Sequence, residues 1–344
     1  MKKLICIAVI SFLLATGCKK DDPIPSGVTL PFENDNLKME LVTSSAPTSI
    51  RDIFFFNSST GVAATYEGEI YKTTDSGVNW NLQHSNPAPD QPLYQIYFSD
   101  ANVGYIVGGS ISCVGSGCIP PGGLILKTTD GGNTWITVFQ QPRIEFVSIA
   151  ANSSGDLFTI SKGTKGMIYK SSNAGINWTI VDSFDFKLEK ITFSNSFGFC
   201  TGMDGKIIRS NDNGITWKFT TTLSANYTTD IKFSSGSGYC IANNQTVYKT
   251  TDNGNNWLQK FNSDYGSFVL NPLTTSSCLV FGAGKYSGGD FGTYDGAVTQ
   301  TTNGGDDWTD TEISDIESIR STSFYSSING YVVAGTKLIK VTVK

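Results

Sequence analysis

Apolar residues in this chain alternate with polar ones in short runs, separated by clusters of Gly, Asn, Ser and Asp, and no useful window places them at helical spacing. A period of two predicts short, half-buried strands throughout, an all-β chain. The first full set reads Ile50–Asn57, Val62–Tyr66, Glu69–Thr74 and Trp80–His84, and the same order restarts near Leu93, Ile144, Leu188, Thr228 and Ser267. Four strands returning about every 40 residues predict a β-propeller. After the sixth set, Ile319–Ser326, Gly330–Ala334 and Lys337–Val343 supply three strands without a fourth, while Leu37–Thr43 stands unpaired ahead of the first set. Joining the two ends closes a ring and removes exposed sheet edges. The expected fold is therefore a seven-bladed β-propeller of four-stranded blades over 37–344, with six blades and a C-terminal appendage as the alternative.

Between the third and fourth strands of each set stands one nine-residue frame: KTTDSGVNW ending at Trp80, KTTDGGNTW at Trp135, KSSNAGINW at Trp178, RSNDNGITW at Trp217, KTTDNGNNW at Trp257 and QTTNGGDDW at Trp308. These hold every Trp of the chain. The acidic or amide residue (Asp75, Asp130, Asn173, Asp212, Asp252, Asn303) suits acceptance from turn N–H groups, the Gly supplies positive φ, and the Trp covers the turn. Asn at two of the six positions fits turn capping and would impair acid/base or metal chemistry. The frame S/T-x-D/N-x-G-x-x-W resembles the Asp-box, or BNR, repeat. The resemblance places the boxes on the propeller face away from any active site.

The amino terminus reads as an address. Met1-Lys2-Lys3 precedes an apolar run, Leu4 to Ala15, and then Leu14-Ala15-Thr16-Gly17-Cys18, which resembles a bacterial lipobox. That implies a signal peptide over 1–17, acylation of Cys18, and a membrane partner through the lipid. Residues 18–36 are charged, Pro-bearing and without hydrophobic period, a flexible tether. Lys19 in place of Asp, and the run Cys18-Lys19-Lys20-Asp21-Asp22, resemble signals for outer-membrane and cell-surface lipoproteins.

Charge and composition narrow the chemistry. The formal net charge is −5 with one His, and the Arg residues are Arg51, Arg143, Arg209 and Arg320. Nucleic acid is a poor partner for such a surface, and His-based triads or metal sites are excluded. No cofactor or metal ligand set is expected. Cys113 and Cys118 flank a four-residue loop of an exported chain and are expected to pair; Cys200, Cys240 and Cys278 are expected as separate buried thiols.

Two insertions fall between second and third strands, Gly108–Gly123 and Gly282–Ala297, and both should rise over the face opposite the boxes. The second carries Tyr286, Asp290, Phe291 and Tyr294, exposed aromatics and acids suited to sugar stacking or a protein interface. Aligning the first strands on Phe55, Phe98, Ile149, Phe193, Phe233 and Phe324 puts Arg51, Tyr94, Glu145, Glu189, Thr229 and Arg320 around the channel mouth on that face, a polar ring able to recognise a charged partner or to pair internally.

Seven blades, Asp boxes and export together resemble the photosystem II stability/assembly factor family, whose members are assembly scaffolds rather than catalysts. The resemblance implies a non-catalytic, monomeric, protein-binding propeller whose partner is an envelope protein or glycan. Asp boxes also occur in sialidases, and Glu145 and Glu189 form a conceivable carboxylate pair, so a glycan-binding module and a sialidase-like glycosidase are the alternatives.

Overall fold

The computed structural model describes residues 32–344 except 86–90, 111–121, 164, 235 and 288–292. Among these residues there are no helices and 28 strands. They form seven four-stranded antiparallel sheets, six of them built from consecutive strands. Blade one is β2 (Ile50–Phe55), β3 (Gly61–Thr65), β4 (Glu69–Thr73) and β5 (Asn81–Ser85); blade two is β6 (Leu93–Phe98), β7 (Gly104–Ser110), β8 (Gly122–Thr128) and β9 (Ile136–Gln141). Blades three to six repeat this order from β10 (Glu145–Ala151), β14 (Leu188–Ser194), β18 (Thr228–Ser234) and β22 (Gly266–Pro272). The seventh contains β26 (Ile319–Phe324), β27 (Asn329–Ala334) and β28 (Lys337–Val343), and its outermost strand is β1 (Leu37–Val42).

Six unbroken pairs, from Leu37↔Val343 to Val42↔Leu338, hold β1 to β28. Leu37 and Met39 are fully buried against Val332, Ile339 and Val341 of the same blade and Phe281 of blade six. The ring is thus closed by pairing of its two ends, as the hydrophobic pattern predicts, and the seven-blade count holds.

The boxes do more than turn the chain. In blade one the Thr73 hydroxyl donates to Asp75 Oδ1, Asp75 Oδ1 accepts from the Asn79 amide at 2.9 Å, and Trp80 Nε1 donates to the Gly77 carbonyl at 2.9 Å. Asn173 and Asn303 accept the equivalent amides, of Asn177 and Asp307, at 2.9 and 3.0 Å. The amide oxygen replaces the carboxylate oxygen without loss of the bond.

Each box glycine also faces the preceding blade. A Cβ on Gly214, at φ +86°, would lie 2.3 Å from the ring of Phe158 in blade three, and one on Gly175 would lie 2.7 Å from Tyr105 in blade two. The box is therefore an adapter between blades, seated near the start of the neighbour's second strand in blades two to six and on Leu338 of β28 in blade one. Its leading cation reaches the other way: Lys72 Nζ donates to Asn133 Oδ1 of the next box, and Lys127 Nζ to the Ala174 carbonyl.

The two insertions are shorter as loops than the sequence suggests. Strand β7 runs to Ser110 and β8 begins at Gly122. In blade six, β23 (Cys278–Ser287) and β24 (Thr293–Thr301) continue as a hairpin through most of Gly282–Ala297, pairing Tyr286 with Tyr294. Alternating apolar residues are absent there, which is why the sequence pattern reads as a loop. Cys200, Cys240 and Cys278 are buried free thiols. Cys18, Cys113, Cys118, Asp290 and Phe291 lie outside the described residues, and Tyr286 is described by its backbone only.

Candidate binding face and central channel

Every innermost strand carries a β-bulge at the same place. The register slips between Ile50 and Asp52, Leu93 and Gln95, Phe146 and Ser148, Leu188 and Lys190, Thr228 and Asp230, Ser267 and Val269, and Ile319 and Ser321. The extra residues are Arg51, Tyr94, Val147, Glu189, Thr229, Phe268 and Arg320. A bulge re-aims one side chain and raises local twist, and here seven of them set the residues at one mouth of the channel.

Two positions differ from the sequence expectation. Ala151, not Ile149, is the blade-three counterpart of Phe55, because it pairs with Leu157, which in turn faces the box residue Ser171. The ring position is therefore Val147, and Glu145 lies two residues before it. Blade six, left without an assignment by the Phe alignment, contributes Phe268 because Pro272 occupies the aligned position.

Arg51 is stacked between two aromatic rings, its guanidinium carbon 4.9 Å from the Tyr66 centroid and 5.9 Å from that of Tyr94. Arg51 and Arg320 line one cavity of about 300 Å³ together with Ser49, Ile50 and Tyr66. Both arginines are exposed; Arg320 Nε donates to Ser318 Oγ at 3.4 Å. Glu189, by contrast, is paired with Lys162 at 3.0 Å. Burial, then the Glu145 charge, pushes the Tyr94 phenol up to about 12. Tyr294 is exposed on the β24 hairpin.

One residue deeper, a belt of side chains ties neighbouring blades together. Asp52 Oδ2 accepts from the Ile96 amide at 2.8 Å, Gln95 Oε1 from Ile149 at 3.2 Å, Ser148 Oγ from Ile191 at 3.1 Å, Asp230 Oδ2 from Leu270 at 3.0 Å and Ser321 Oγ from Ile53 at 3.2 Å. Each innermost strand has no sheet partner on its channel side, so these acceptors satisfy amides that would otherwise go unpaired. Lys190 and Val269 hold the equivalent place in blades four and six and offer no acceptor. The channel enclosed by the belt has a volume of about 530 Å³.

Asp52 is the costly member of this belt. Burial raises its carboxyl above the ordinary value of 3.8, against the bonds from Ile96 and Ser321 and the charges of Lys190 and Lys232. A carboxyl whose folded pKa exceeds its unfolded one makes the folded chain bind more protons, so its contribution falls as pH rises from the unfolded value through the folded one. Asp130 and Asp252 in the boxes have the opposite sign. Hydrogen bonds from Thr134 and Asn256 hold them down to about 2, so their contribution is present above the ordinary carboxylate range and is lost as pH falls towards that value. Asp52→Asn keeps an acceptor for Ile96. Urea unfolding across pH is expected to show the variant gaining on wild type above about pH 4, by ~1.4 kcal/mol per unit of pKa displacement removed.

Comparison with known proteins places this architecture. The family model described as photosynthesis system II assembly factor YCF48 matches residues 181–335. The photosystem II assembly lipoprotein Ycf48 of Prochlorococcus marinus (strain MIT 9312) is 26% identical over 164 residues, covering 46% of this chain and 45% of that protein. The chain spans less than half the length of the curated relatives it matches. A solved structure of YCF48 bound to D1 peptide superposes with a TM-score of 0.67 at 17% identity, over 92% of this chain and 100% of that one. The GH74 enzyme of Niastella koreensis gives 0.64 at 17% identity over 88% of this chain and 53% of that one, so the same fold also serves catalysis. In its boxes, blade number and ring closure, the chain is an Asp-box β-propeller similar to the Ycf48 photosystem II assembly factors.

Proposed function

We propose that this protein is a non-catalytic, lipid-anchored binding propeller of the bacterial envelope, and that the face opposite its boxes holds a carboxylate-bearing segment of an envelope protein. The observation that carries this reading is the convergence of Arg51 and Arg320 on one cavity, with Arg51 pre-positioned by Tyr66 and Tyr94. Guanidinium forks match carboxylates in two-point contact. The rim aromatics Tyr66, Phe268 and Tyr294 add apolar area beside that charge. A structural neighbour is described as bound to a peptide, which supports a peptide ligand. The partition into a signal peptide over 1–17, a lipidated tether over 18–36 and the propeller over 37–344 belongs to the same reading; relatives named lipoproteins support the anchor. Outer-membrane and cell-surface placement rests on the residues after Cys18.

A glycosidase would need an activated nucleophile and a free acid. Tyr94 is shifted away from ionisation, and Glu189 is neutralised by Lys162. Both arrangements favour binding over turnover.

The test is capture of partners from a detergent extract of the native envelope, with wild type beside Arg51→Ala/Arg320→Ala. Losing two charge-assisted contacts of at least ~1.5 kcal/mol each should weaken capture at least about 100-fold, and raised salt should weaken wild type too. Capture that is unchanged in the variant, or turnover of any glycoside, would overturn the reading.

A further inference from the structure

The exposed large side chains are sorted by chemistry between the two faces. Opposite the boxes they are aromatic: Tyr66, Tyr227 and Tyr294. On the box side they are chiefly aliphatic. Ile176 and Ile215 stand at the tips of two box turns, 66% and 67% exposed, and Ile136 and Leu258 follow the box Trp in their blades, each 64% exposed. Ile176 and Ile215 are equivalent tips of neighbouring blades, with exposed Val78 at the same place in blade one; Asn133, Asn255 and Asp306 hold that place in the other boxes, and Ile136 and Leu258 begin outermost strands beside them. Blades of one propeller repeat at equal height, so equivalent turns end near one plane. A set of apolar tips in a plane is matched by a planar occupant better than by a groove or a single helix.

The chain supplies a reason for such an occupant. Phe32 is the first described residue, and its carbonyl accepts from the Met39 amide on the outer edge of blade seven; the turn beyond it is held at the box end, where Lys344 pairs with Glu33 at 2.8 Å. Thirteen residues separate Cys18 from Phe32. Even fully extended, that length reaches no more than about 50 Å, so an acylated Cys18 keeps the propeller close to the bilayer. The tether length allows either face to turn towards lipid, and the surface chemistry selects between them. Beside the two isoleucines, Asp212 turns its carboxylate onto its own turn, accepting from the Thr216 amide at 2.9 Å, whereas the exposed box acids Asp75, Asp306 and Asp307 stand in blades one and six.

We infer that the box face is a membrane-docking surface: Ile176, Ile215 and their neighbours seat in the lipid boundary, to a depth of ~5–10 Å, and hold the opposite face out towards partners. This rests on the lipid-anchor part of the proposed function and gives that anchor an orientation.

The test uses the acylated full-length mature protein in phosphatidylethanolamine/phosphatidylglycerol vesicles, made with plain or brominated acyl chains. All six Trp residues lie in the boxes and serve as the probe, since bromine quenches indole only at short range. Wild type is expected to be quenched in brominated vesicles. Ile176→Ser/Ile215→Ser, which alters only exposed side chains, is expected to float with the vesicles yet lose most of that quenching. Vesicle-bound wild type with equal emission in both lipids would overturn the inference. So would wild type that self-associates while the variant is monomeric, which would make a second copy the occupant. Failure of wild type to float would instead remove the anchor on which the inference stands, and would leave the Arg51/Arg320 reading of the opposite face to its own test.

Discussion

Trp217→Ala is expected to destabilise the propeller by about 3–5 kcal/mol, the range for an aromatic truncated to Ala in a packed site. The indole is 5% exposed and joins three pieces of structure. Its Nε1 donates to the Gly214 carbonyl at 3.2 Å, its ring meets Phe193 edge-on at 5.7 Å in the same blade, and it meets Phe158 of blade three at 6.1 Å. Truncation leaves a cavity between two blades and also loosens the turn whose Gly214 is seated on Phe158. Replacing the box acid has a smaller consequence, because Asn173 and Asn303 already make the turn with an amide oxygen. Asp212→Asn should therefore retain most of the stability that Trp217→Ala removes. Urea unfolding of the three proteins at one pH checks both statements. A loss below about 1 kcal/mol for Trp217→Ala would mean that the box is decoration rather than an adapter between blades.

Much of this was readable from residue order, and the limits have physical causes. Strand period, blade count and ring closure follow from alternation and from the unpaired ends, because those properties depend on residue class alone. The adapter role of the boxes left a signal that can be seen in retrospect: Gly104-Tyr105, Gly198-Phe199, Gly238-Tyr239 and Gly330-Tyr331 recur at the start of second strands. The small residue admits the first-strand Phe, as Gly198 does Phe193 and Gly238 does Phe233. The aromatic then receives the next blade's box.

The channel mouth was harder to read. Blade three carries Ala151 and blade six Pro272 where the other blades carry Phe, so aligning on large apolar residues misplaced blade three by two positions and passed over Phe268. The belt beneath it is less legible still. Asp52, Gln95, Ser148, Asp230 and Ser321 perform one task with three side-chain chemistries, since all that is needed is an acceptor of suitable reach. A motif search has nothing constant there to find.

The largest effect is expected where the two ends meet. Met39 is fully buried in the cluster that joins blades six and seven, beside Phe281, Val332 and Val341. Met39→Asp would bury a carboxylate with no partner in an apolar core, a change that costs several kcal/mol or forces the group to stay neutral. Since β1 is the fourth strand of its blade, expelling it leaves β28 as a bare edge with unpaired main-chain groups along Leu338–Val343. Exposed edges of this kind recruit other chains, so the variant is expected to be recovered as oligomers or aggregate rather than as a stable monomer. Met39→Leu, which keeps the volume, should cost less than about 1.5 kcal/mol and remain monomeric. Size-exclusion chromatography with light scattering separates these outcomes. The same closure bears on function, because blade seven positions Arg320 and blade one Arg51. The cavity they share lies across the seam that β1 locks, so a ring opened there loses the geometry of the proposed binding face before it loses its remaining blades.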